Sequence, residues 1–234
     1  MPLLFVDLDN TLIDRAASMT RWAEAYLTDR YGSADPELLT AMVQADGDGL
    51  RPKPDVAADL AVLLNLSTDE EADVITVLRA GVLEYLRPDP TIVPALSRAR
   101  DGGFVPFVVT NGNVAQQENK MRLMGLGDHV AGMVVSEGVG VRKPDPAIFH
   151  LAADAAPGTL EEAWMIGDSA EADIAGAANA GLPSVWLRRG RDYPTAAPRP
   201  TAIADSFPDA VEIVLASSRG CSAAASDAST SPMR

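Results

Sequence analysis

The sequence predicts an α/β protein, a doubly wound parallel sheet with an inserted α-helical segment. Short runs that are apolar at every position recur along the chain, which is typical of strands buried on both faces of a parallel sheet. Helical patterns separate these runs, and this alternation favours right-handed βαβ units. The predicted strands are residues 3–6, 104–109, 133–135, 163–166 and 184–187, and the helices between them are residues 90–101, 114–124, 145–156 and 170–180.

The stretch 15–87 departs from this alternation, because it contains helical patterns but no strand pattern. Pro36 and Pro54 occupy positions that suit the first turn of a helix, where a missing N–H costs nothing. Ser67 begins a Ser-x-x-Glu capping box ahead of a further apolar stripe. The predicted domains are therefore a sheet domain of residues 1–14 and 88–216 and a helical domain of residues 15–87.

The C-terminal residues 217–234 are rich in Ser and Ala and show no apolar periodicity. Such a segment buries too little apolar surface to offset its loss of conformational entropy. We predict that this tail is disordered.

The charge balance bears on the partners that the protein can bind. The formal net charge is −14, with 33 acidic and 19 basic side chains, which argues against a nucleic-acid or membrane partner because anionic phosphates would be repelled. A small phosphorylated substrate stays compatible if a bound cation reverses the local field. The single cysteine excludes a disulfide framework. With no long apolar run and no basic N-terminal region, the sequence predicts a cytoplasmic protein and leaves its oligomeric state open.

Polar side chains gather where the predicted strands end. Asp7 and Asp9 follow the first strand, Thr110 and Asn111 follow the second, and Asp168 follows the fourth. In open α/β sheets, ligands bind beyond the carboxyl ends of the strands. Carboxylates that converge there repel one another unless a cation joins them, and an all-oxygen ligand set suits Mg²⁺. The sequence therefore predicts a Mg²⁺ site at this edge.

Four segments in chain order resemble the motifs of one family. Asp7-Leu8-Asp9-Asn10-Thr11 matches an Asp-x-Asp-x-Thr pattern after the first strand, and Thr110 ends the second strand. Lys143 precedes Pro144, and Gly167-Asp168 is followed by Asp173. Together the segments resemble the haloacid dehalogenase-like (HAD) superfamily over about residues 1–216. The resemblance implies a HAD-like Rossmannoid core, and the helical insert is similar to the C1-type cap of that family.

The resemblance also implies roles for the acidic residues. Asp7 is the expected nucleophile, which attacks phosphorus to form an aspartyl-phosphate that water then hydrolyses. Asp9 is expected to protonate the leaving alkoxide and then to activate that water. The expected Mg²⁺ ligands are Asp7, the backbone carbonyl of Asp9 and Asp168, with Asp173 acting through water.

The phosphate and the rest of the substrate have their own expected contacts. Thr110 and the N–H groups of Asn111 and Gly112 are expected to hold phosphate oxygens, and Lys143 to supply a positive charge. Arg51 lies in the segment where C1-capped members read the leaving group, and we expect it to meet a second anionic group of the substrate. A solvated charge on a mobile loop explains Arg51 equally well.

Asp9 favours phosphoryl transfer, because the dehalogenases of the family lack an acid at that place. The favoured reaction is hydrolysis of a small phosphorylated metabolite by a phosphatase. A phosphomutase of the beta-phosphoglucomutase type and a phosphonate hydrolase stay open, and Lys53 is the one cap lysine that the latter could use. A non-catalytic binding module is disfavoured, since Asp7, Asp9 and Asp168 are all present.

Overall fold

The structure is a computed structural model that describes the backbone of residues 1–227 and the side chains of residues 1–218. Its centre is a parallel sheet of six strands in the order β3-β2-β1-β4-β5-β6. The strands are β1 (Pro2–Val6), β2 (Val105–Thr110), β3 (Met133–Val135), β4 (Thr159–Gly167), β5 (Ser184–Leu187) and β6 (Ala202–Ala204). This topology confirms the predicted α/β class and adds one short edge strand, β6, that the sequence patterns did not predict.

The described chain divides into two compact units. A sheet unit contains residues 1–12 and the chain from Asp89 onward, and a helical unit contains residues 13–88. The predicted domain boundaries lie one or two residues from these. The helices of the helical unit are α1 (Arg15–Tyr31), α2 (Pro36–Asp46), α3 (Lys53–Leu64) and α4 (Thr68–Glu84).

The helical unit has its own apolar core. Met19, Leu27 and Met42 are fully buried there, and the Ser67–Glu70 capping box forms at the start of α4. Gly81 allows α4 to approach α1 closely, because a Cβ at this position would lie 1.9 Å from a ring carbon of Trp22. The unit is therefore held together by its own packing.

The sheet unit buries strand residues on both faces. Leu3 and Phe5 of β1 pack in one apolar cluster with Phe149, while Leu4 and Val6 are equally buried and point the other way by strand alternation. The helical segments of this unit are α5 (Ile92–Asp101), α6 (Val114–Leu123), α7 (Ser136–Val139), α8 (Ala147–Ala155), a π-helical turn (Ala170–Ile174), α9 (Ala175–Asn179) and α10 (Phe207–Asp227).

The last helix differs from the sequence expectation. Helix α10 runs through Asp227 and thus passes residue 216, after which we predicted a disordered tail. Alanine has the highest helix propensity, so a Ser- and Ala-rich stretch can continue a helix without an apolar stripe. Residues 228–234 of that predicted tail lie outside the described residues. Within the described part of the chain, no helix has the length and apolarity that crossing a membrane requires.

Candidate active site

The central strands bring the predicted polar residues to one edge of the sheet. Strands β2, β1 and β4 are neighbours, and Asp7, Thr110 and Asp168 stand at their carboxyl ends. All three residues are at least nine-tenths buried. Since parallel strands place these ends side by side, three segments far apart in sequence meet at a single place.

Lys143 links the first and last of the four motifs. Its Nζ donates to Asp7 Oδ1, to Asp173 Oδ1 and to the carbonyl oxygen of Val109, each at 2.6 Å. An ammonium group has three N–H donors, so the three contacts satisfy it completely. Burial lowers the pKa of Lys143, but the two adjacent carboxylates outweigh burial and raise the pKa above its usual value. The side chain is therefore a fixed positive charge.

Three carboxylates lie close together here, and the Lys143 ammonium contacts two of them. Asp7, Asp168 and Asp173 each offer an oxygen atom, and these atoms lie within 4.8 Å of one another. Burial raises the pKa of Asp7 well above its usual value although Lys143 opposes this, and burial together with Asp173 raises the pKa of Asp168 to about 6. Such shifts mean that the cluster carries more negative charge than its surroundings stabilise. The cluster could bind a metal ion.

The local backbone makes room for Asp173. Its Oδ2 accepts a hydrogen bond from the backbone N–H of Ser169 at 2.9 Å. A Cβ at Gly167 would lie 2.3 Å from that same oxygen. A residue with a side chain at position 167 would therefore displace the carboxylate.

Asp168 has a cationic neighbour that the sequence analysis missed. Arg191 Nη2 donates to Asp168 Oδ2 and to the Asp168 carbonyl oxygen, both at 2.9 Å. The indole N–H of Trp186 donates to the same carbonyl oxygen at 2.7 Å, and the guanidinium lies 5.8 Å from the Trp186 ring centroid. Arg191 follows β5 in a loop with several arginines, and no spacing in the sequence distinguishes it from its neighbours.

Asp9 contacts two further residues that the sequence analysis did not assign to the site. Lys120 Nζ lies 2.7 Å from Asp9 Oδ1 and 2.6 Å from Asp9 Oδ2, and Gln117 Nε2 donates to Oδ2 at 3.0 Å. Both side chains belong to α6, where residues 117, 120 and 121 form the buried stripe. Polar residues on the apolar stripe of an amphipathic helix are the signal that could have revealed them.

The segment after β2 makes hydrogen bonds within the protein, and its expected phosphate contacts stay a prediction. The Thr110 hydroxyl accepts a hydrogen bond from Gln117 Nε2 at 2.7 Å. The Asn111 side chain holds the backbone of Lys143, accepting from its N–H at 2.9 Å and donating to its carbonyl at 3.0 Å. The N–H of Gly112, an expected phosphate donor, donates to Ser136 Oγ at 3.0 Å.

Arg51 lies in the helical unit. Its guanidinium pairs with Asp59 at 2.7 Å and donates to the carbonyl oxygen of Ala45 at 2.7 Å. The preceding turn, Gly47–Gly49, has three consecutive residues at positive φ. These contacts hold Arg51 within the helical unit, and its reading of substrate stays a prediction.

Comparisons with known proteins agree with the motifs. A family model described as haloacid dehalogenase-like hydrolase matches residues 1–181. The glyceraldehyde 3-phosphate phosphatase of Methanopyrus kandleri is 39% identical over 107 residues, 46% of this chain and 46% of that protein, so the chain spans about half the length of this relative. The phosphoglycolate phosphatase of Agrobacterium fabrum is 28% identical over 88% of this chain and 89% of that protein.

A solved structure extends the likeness to the fold. The magnesium-bound HAD hydrolase YfnB of Bacillus subtilis superposes with a TM-score of 0.74 at 22% identity. The match covers 91% of this chain and 98% of that one. At this level of identity the likeness concerns the fold alone.

Proposed function

The chain belongs to the haloacid dehalogenase-like hydrolase family, and from this premise we propose that it is a Mg²⁺-dependent phosphatase of small phosphorylated metabolites. The observation that carries the proposal is the buried ammonium of Lys143 between Asp7 and Asp173, with Asp168 beside them. Asp9, two residues from the proposed nucleophile Asp7, supplies the acid that distinguishes phosphoryl transfer from dehalogenation in the family.

The donor set fits Mg²⁺ by its chemistry. Asp7, Asp168 and Asp173 provide only oxygen atoms, which hard divalent cations prefer. The raised pKa values of Asp7 and Asp168 support the proposal, because a bound cation would stabilise both carboxylates in their charged form. When bound, Mg²⁺ would supply charge stabilisation to the transferring phosphoryl group.

The proposed reaction has two half-reactions. In the first, a carboxylate oxygen of Asp7 forms a bond to phosphorus while the bond from phosphorus to the alkoxide oxygen breaks. Asp9 gives its proton to that alkoxide, which leaves as an alcohol. In the second, Asp9 takes a proton from water as the water oxygen attacks phosphorus, and the bond to Asp7 breaks to release inorganic phosphate. Asp7 and the proton on Asp9 are thereby restored.

Lys143 acts on Asp7 rather than on the proton transfers. Its contact at 2.6 Å orients the Asp7 carboxylate and offsets the repulsion between this carboxylate and an anionic phosphate. Thr110, at the end of β2, is the proposed side-chain donor to a phosphate oxygen.

The proposed substrate class rests on the relatives. The glyceraldehyde 3-phosphate, phosphoglycolate and phosphoserine phosphatases are each named for a small phosphorylated metabolite. The helical unit occupies the chain position of a C1-type cap, directly after the first motif. We therefore place the substrate among small phosphomonoesters without choosing one.

Phosphate release from a panel of small phosphomonoesters tests the proposal. We expect turnover that requires Mg²⁺, disappears in excess chelator and disappears in Asp7→Asn. The exposed Arg98–Glu212 pair offers a matched control in the sheet unit, and Arg98→Met is expected to keep the wild-type rate. Turnover that survives Asp7→Asn would refute the nucleophile.

Beryllium fluoride, a phosphate mimic that binds aspartate, provides a readout without turnover. We expect it to raise the melting temperature of the wild type with Mg²⁺ and not that of Asp7→Asn. No turnover together with no such shift would overturn the proposed enzyme and favour a binding module. A shift without release of phosphate would favour either a narrow specificity for a substrate outside the panel or transfer to a second sugar hydroxyl, as in a phosphomutase.

A further inference from the structure

Asp9 is held at the sheet edge by α6. The Lys120 ammonium contacts both carboxylate oxygens, at 2.7 and 2.6 Å, so it bridges them. Gln117 adds a hydrogen bond to Oδ2 at 3.0 Å. Because Lys120 contacts both oxygen atoms, rotation of the Asp9 carboxylate about its last side-chain torsion would break at least one of these short contacts.

Gln117 also joins Asp9 to the second motif. Its Nε2 donates to the Thr110 hydroxyl at 2.7 Å and to Asp9 Oδ2 at 3.0 Å. One amide group thus spans the proposed acid–base residue and the proposed phosphate donor. The distance between these two groups is thereby fixed by a third element of the fold.

The two α6 side chains are more deeply buried than the Asp9 side chain that they contact. Gln117 is 1% exposed and Lys120 is 3% exposed, whereas the Asp9 side chain is 22% exposed. A lysine that is removed from water needs a charged partner, and Asp9 is the carboxylate that Lys120 contacts. The anchored part of the pair is therefore inside the protein, while the carboxylate still reaches solvent.

We propose that Lys120 and Gln117 are positioning residues that hold the Asp9 carboxylate in register with Thr110 for proton transfer to the leaving group. The inference rests on the proposed function and extends it, because the motifs of the family give no role to either residue. Neither side chain touches the reacting atoms in this proposal. A misplacement of about 1 Å at a reacting group can reduce a rate about 100-fold.

The leaving group distinguishes positioning of Asp9 from a merely structural role. An alkoxide needs a proton as it departs, whereas a nitrophenolate ion departs readily without one. Misplacement of Asp9 should therefore slow the cleavage of alkyl phosphates and spare that of p-nitrophenyl phosphate. General damage to the fold would slow both reactions equally.

The experiment compares kcat/KM of Lys120→Met for phosphoglycolate and for p-nitrophenyl phosphate, since this parameter reports the first half-reaction. We expect a loss of about 10- to 100-fold for phosphoglycolate and of less than about 3-fold for the aryl ester. Arg122→Met is the matched control, because Arg122 is an exposed cation of the same helix that contacts Asn119. The control should leave both values unchanged.

Further variants complete the test. Lys120→Arg keeps the charge and should restore part of the loss for phosphoglycolate, and Gln117→Leu should reproduce the selective loss if Lys120→Met does not fold. Equal losses on both substrates, or no loss on either, would overturn the inference while the proposed function stands. Failure of the wild type on both substrates, together with no melting-temperature shift by beryllium fluoride, would instead count against the proposed function.

A readout without catalysis tests the contact itself. In chelator, the melting temperatures of Asp9→Asn, Lys120→Met and the double variant form a cycle. We expect Asp9→Asn to lower the melting temperature, because it leaves a buried ammonium without its carboxylate, and the double variant to lower it less than the sum of the single changes. Additive shifts would show that the pair does not interact in solution and would overturn the inference.

Discussion

The two buried lysines of the sheet unit, Lys143 and Lys120, are paired in opposite ways. Lys143 lies between two carboxylates and a carbonyl oxygen, whereas Lys120 contacts both oxygens of one carboxylate. The ammonium group of Lys143 lies in a cluster in which negative charge exceeds positive charge. The ammonium group of Lys120 contacts a single carboxylate group, that of Asp9. The surroundings of Lys143 can therefore accept a further cation, whereas Lys120 holds one carboxylate in position.

The excess negative charge near Lys143 follows from its direct contacts. Within the described residues, Asp7, Asp168 and Asp173 form ion pairs with Lys143 and Arg191, and the charge of Arg189 also lowers the pKa of Asp168. Burial then raises the pKa of Asp7 and of Asp168 despite these cations. A divalent cation would reverse that imbalance, and this is the physical reason to place Mg²⁺ against these three carboxylates and not against the Asp9 side chain.

Replacing Lys143 by Met should have the largest effect on stability and activity among the changes considered for the two lysines and their partners. It leaves Asp7 and Asp173 buried without their shared cation, which is expected to cost about 3–5 kcal/mol of unfolding free energy in chelator. The rate of phosphate release should fall about 100- to 1,000-fold, because the nucleophile loses its orienting donor. Denaturant unfolding and steady-state kinetics measure the two effects.

The control for Lys143→Met is Arg98→Met, which breaks an exposed ion pair and should change stability by less than about 1 kcal/mol. Mg²⁺ should restore part of the stability of Lys143→Met, since it neutralises the same carboxylates. A variant as stable as the wild type in chelator would contradict the role of Lys143 as the neutralising charge.

Replacing Asp168 by Asn should stabilise the metal-free protein. The pKa of Asp168 is about 6 in the fold and about 3.9 in an unfolded chain, so the folded state binds the proton more tightly. The contribution of this group to stability therefore falls as the pH rises from about 4 to 6. In chelator at pH 7, the free energy of unfolding of Asp168→Asn should exceed that of the wild type by up to about 3 kcal/mol. The difference should vanish near pH 4.

Mg²⁺ should reverse that order. At a concentration of 100 times its dissociation constant, Mg²⁺ is expected to stabilise the wild type by about 2.7 kcal/mol and Asp168→Asn by much less. Unfolding curves at both pH values, with Mg²⁺ and with chelator, measure all four quantities. If Asp168→Asn gains as much from Mg²⁺ as the wild type, Asp168 is not a ligand.

A methyl group at Gly167 should disturb the cluster through Asp173, which supplies the three atoms nearest to the added Cβ. The added Cβ of Gly167→Ala would lie 2.3 Å from Asp173 Oδ2, so this carboxylate must move and stability should fall by about 1–3 kcal/mol. Activity should fall with it. Gly127→Ala is the matched control, because a Cβ there meets nothing within 4 Å. Equal stability of the two variants would show that Asp173 can be displaced without cost.

The sequence was sufficient for the residues that stand at strand ends. Apolar runs located five strands, and the topology then placed Asp7, Thr110 and Asp168 together. Strand β6 is three residues long and only partly buried, so it carries no apolar run of its own. Helix α10 continues past the last apolar stripe, since an alanine-rich stretch can continue a helix without one.

The residues that support the site could not be inferred from strand ends. Lys120 and Gln117 reach Asp9 across more than 100 positions of sequence, and Arg191 reaches Asp168 across 23. A single sequence contains no information on such pairings, since a lysine on a helix is usually solvated. The buried stripe of α6 was the available clue, and it requires knowing which face of the helix is covered.

The smallest expected effect belongs to Asn111, which acts on Lys143 through the backbone. Its side chain makes two hydrogen bonds to the N–H and carbonyl of Lys143, at 2.9 and 3.0 Å. Asn111→Ala should lower the unfolding free energy by about 1–2 kcal/mol, with a loss of activity of up to about 10-fold because Lys143 retains its own three contacts. The control is Asn119→Ala, which removes an exposed contact to Arg122 on α6. If Asn111→Ala lowers the rate of phosphate release equally for alkyl and aryl phosphate esters, the result agrees with a role through Lys143. A loss of rate confined to alkyl esters would show instead that Asn111 acts through Asp9.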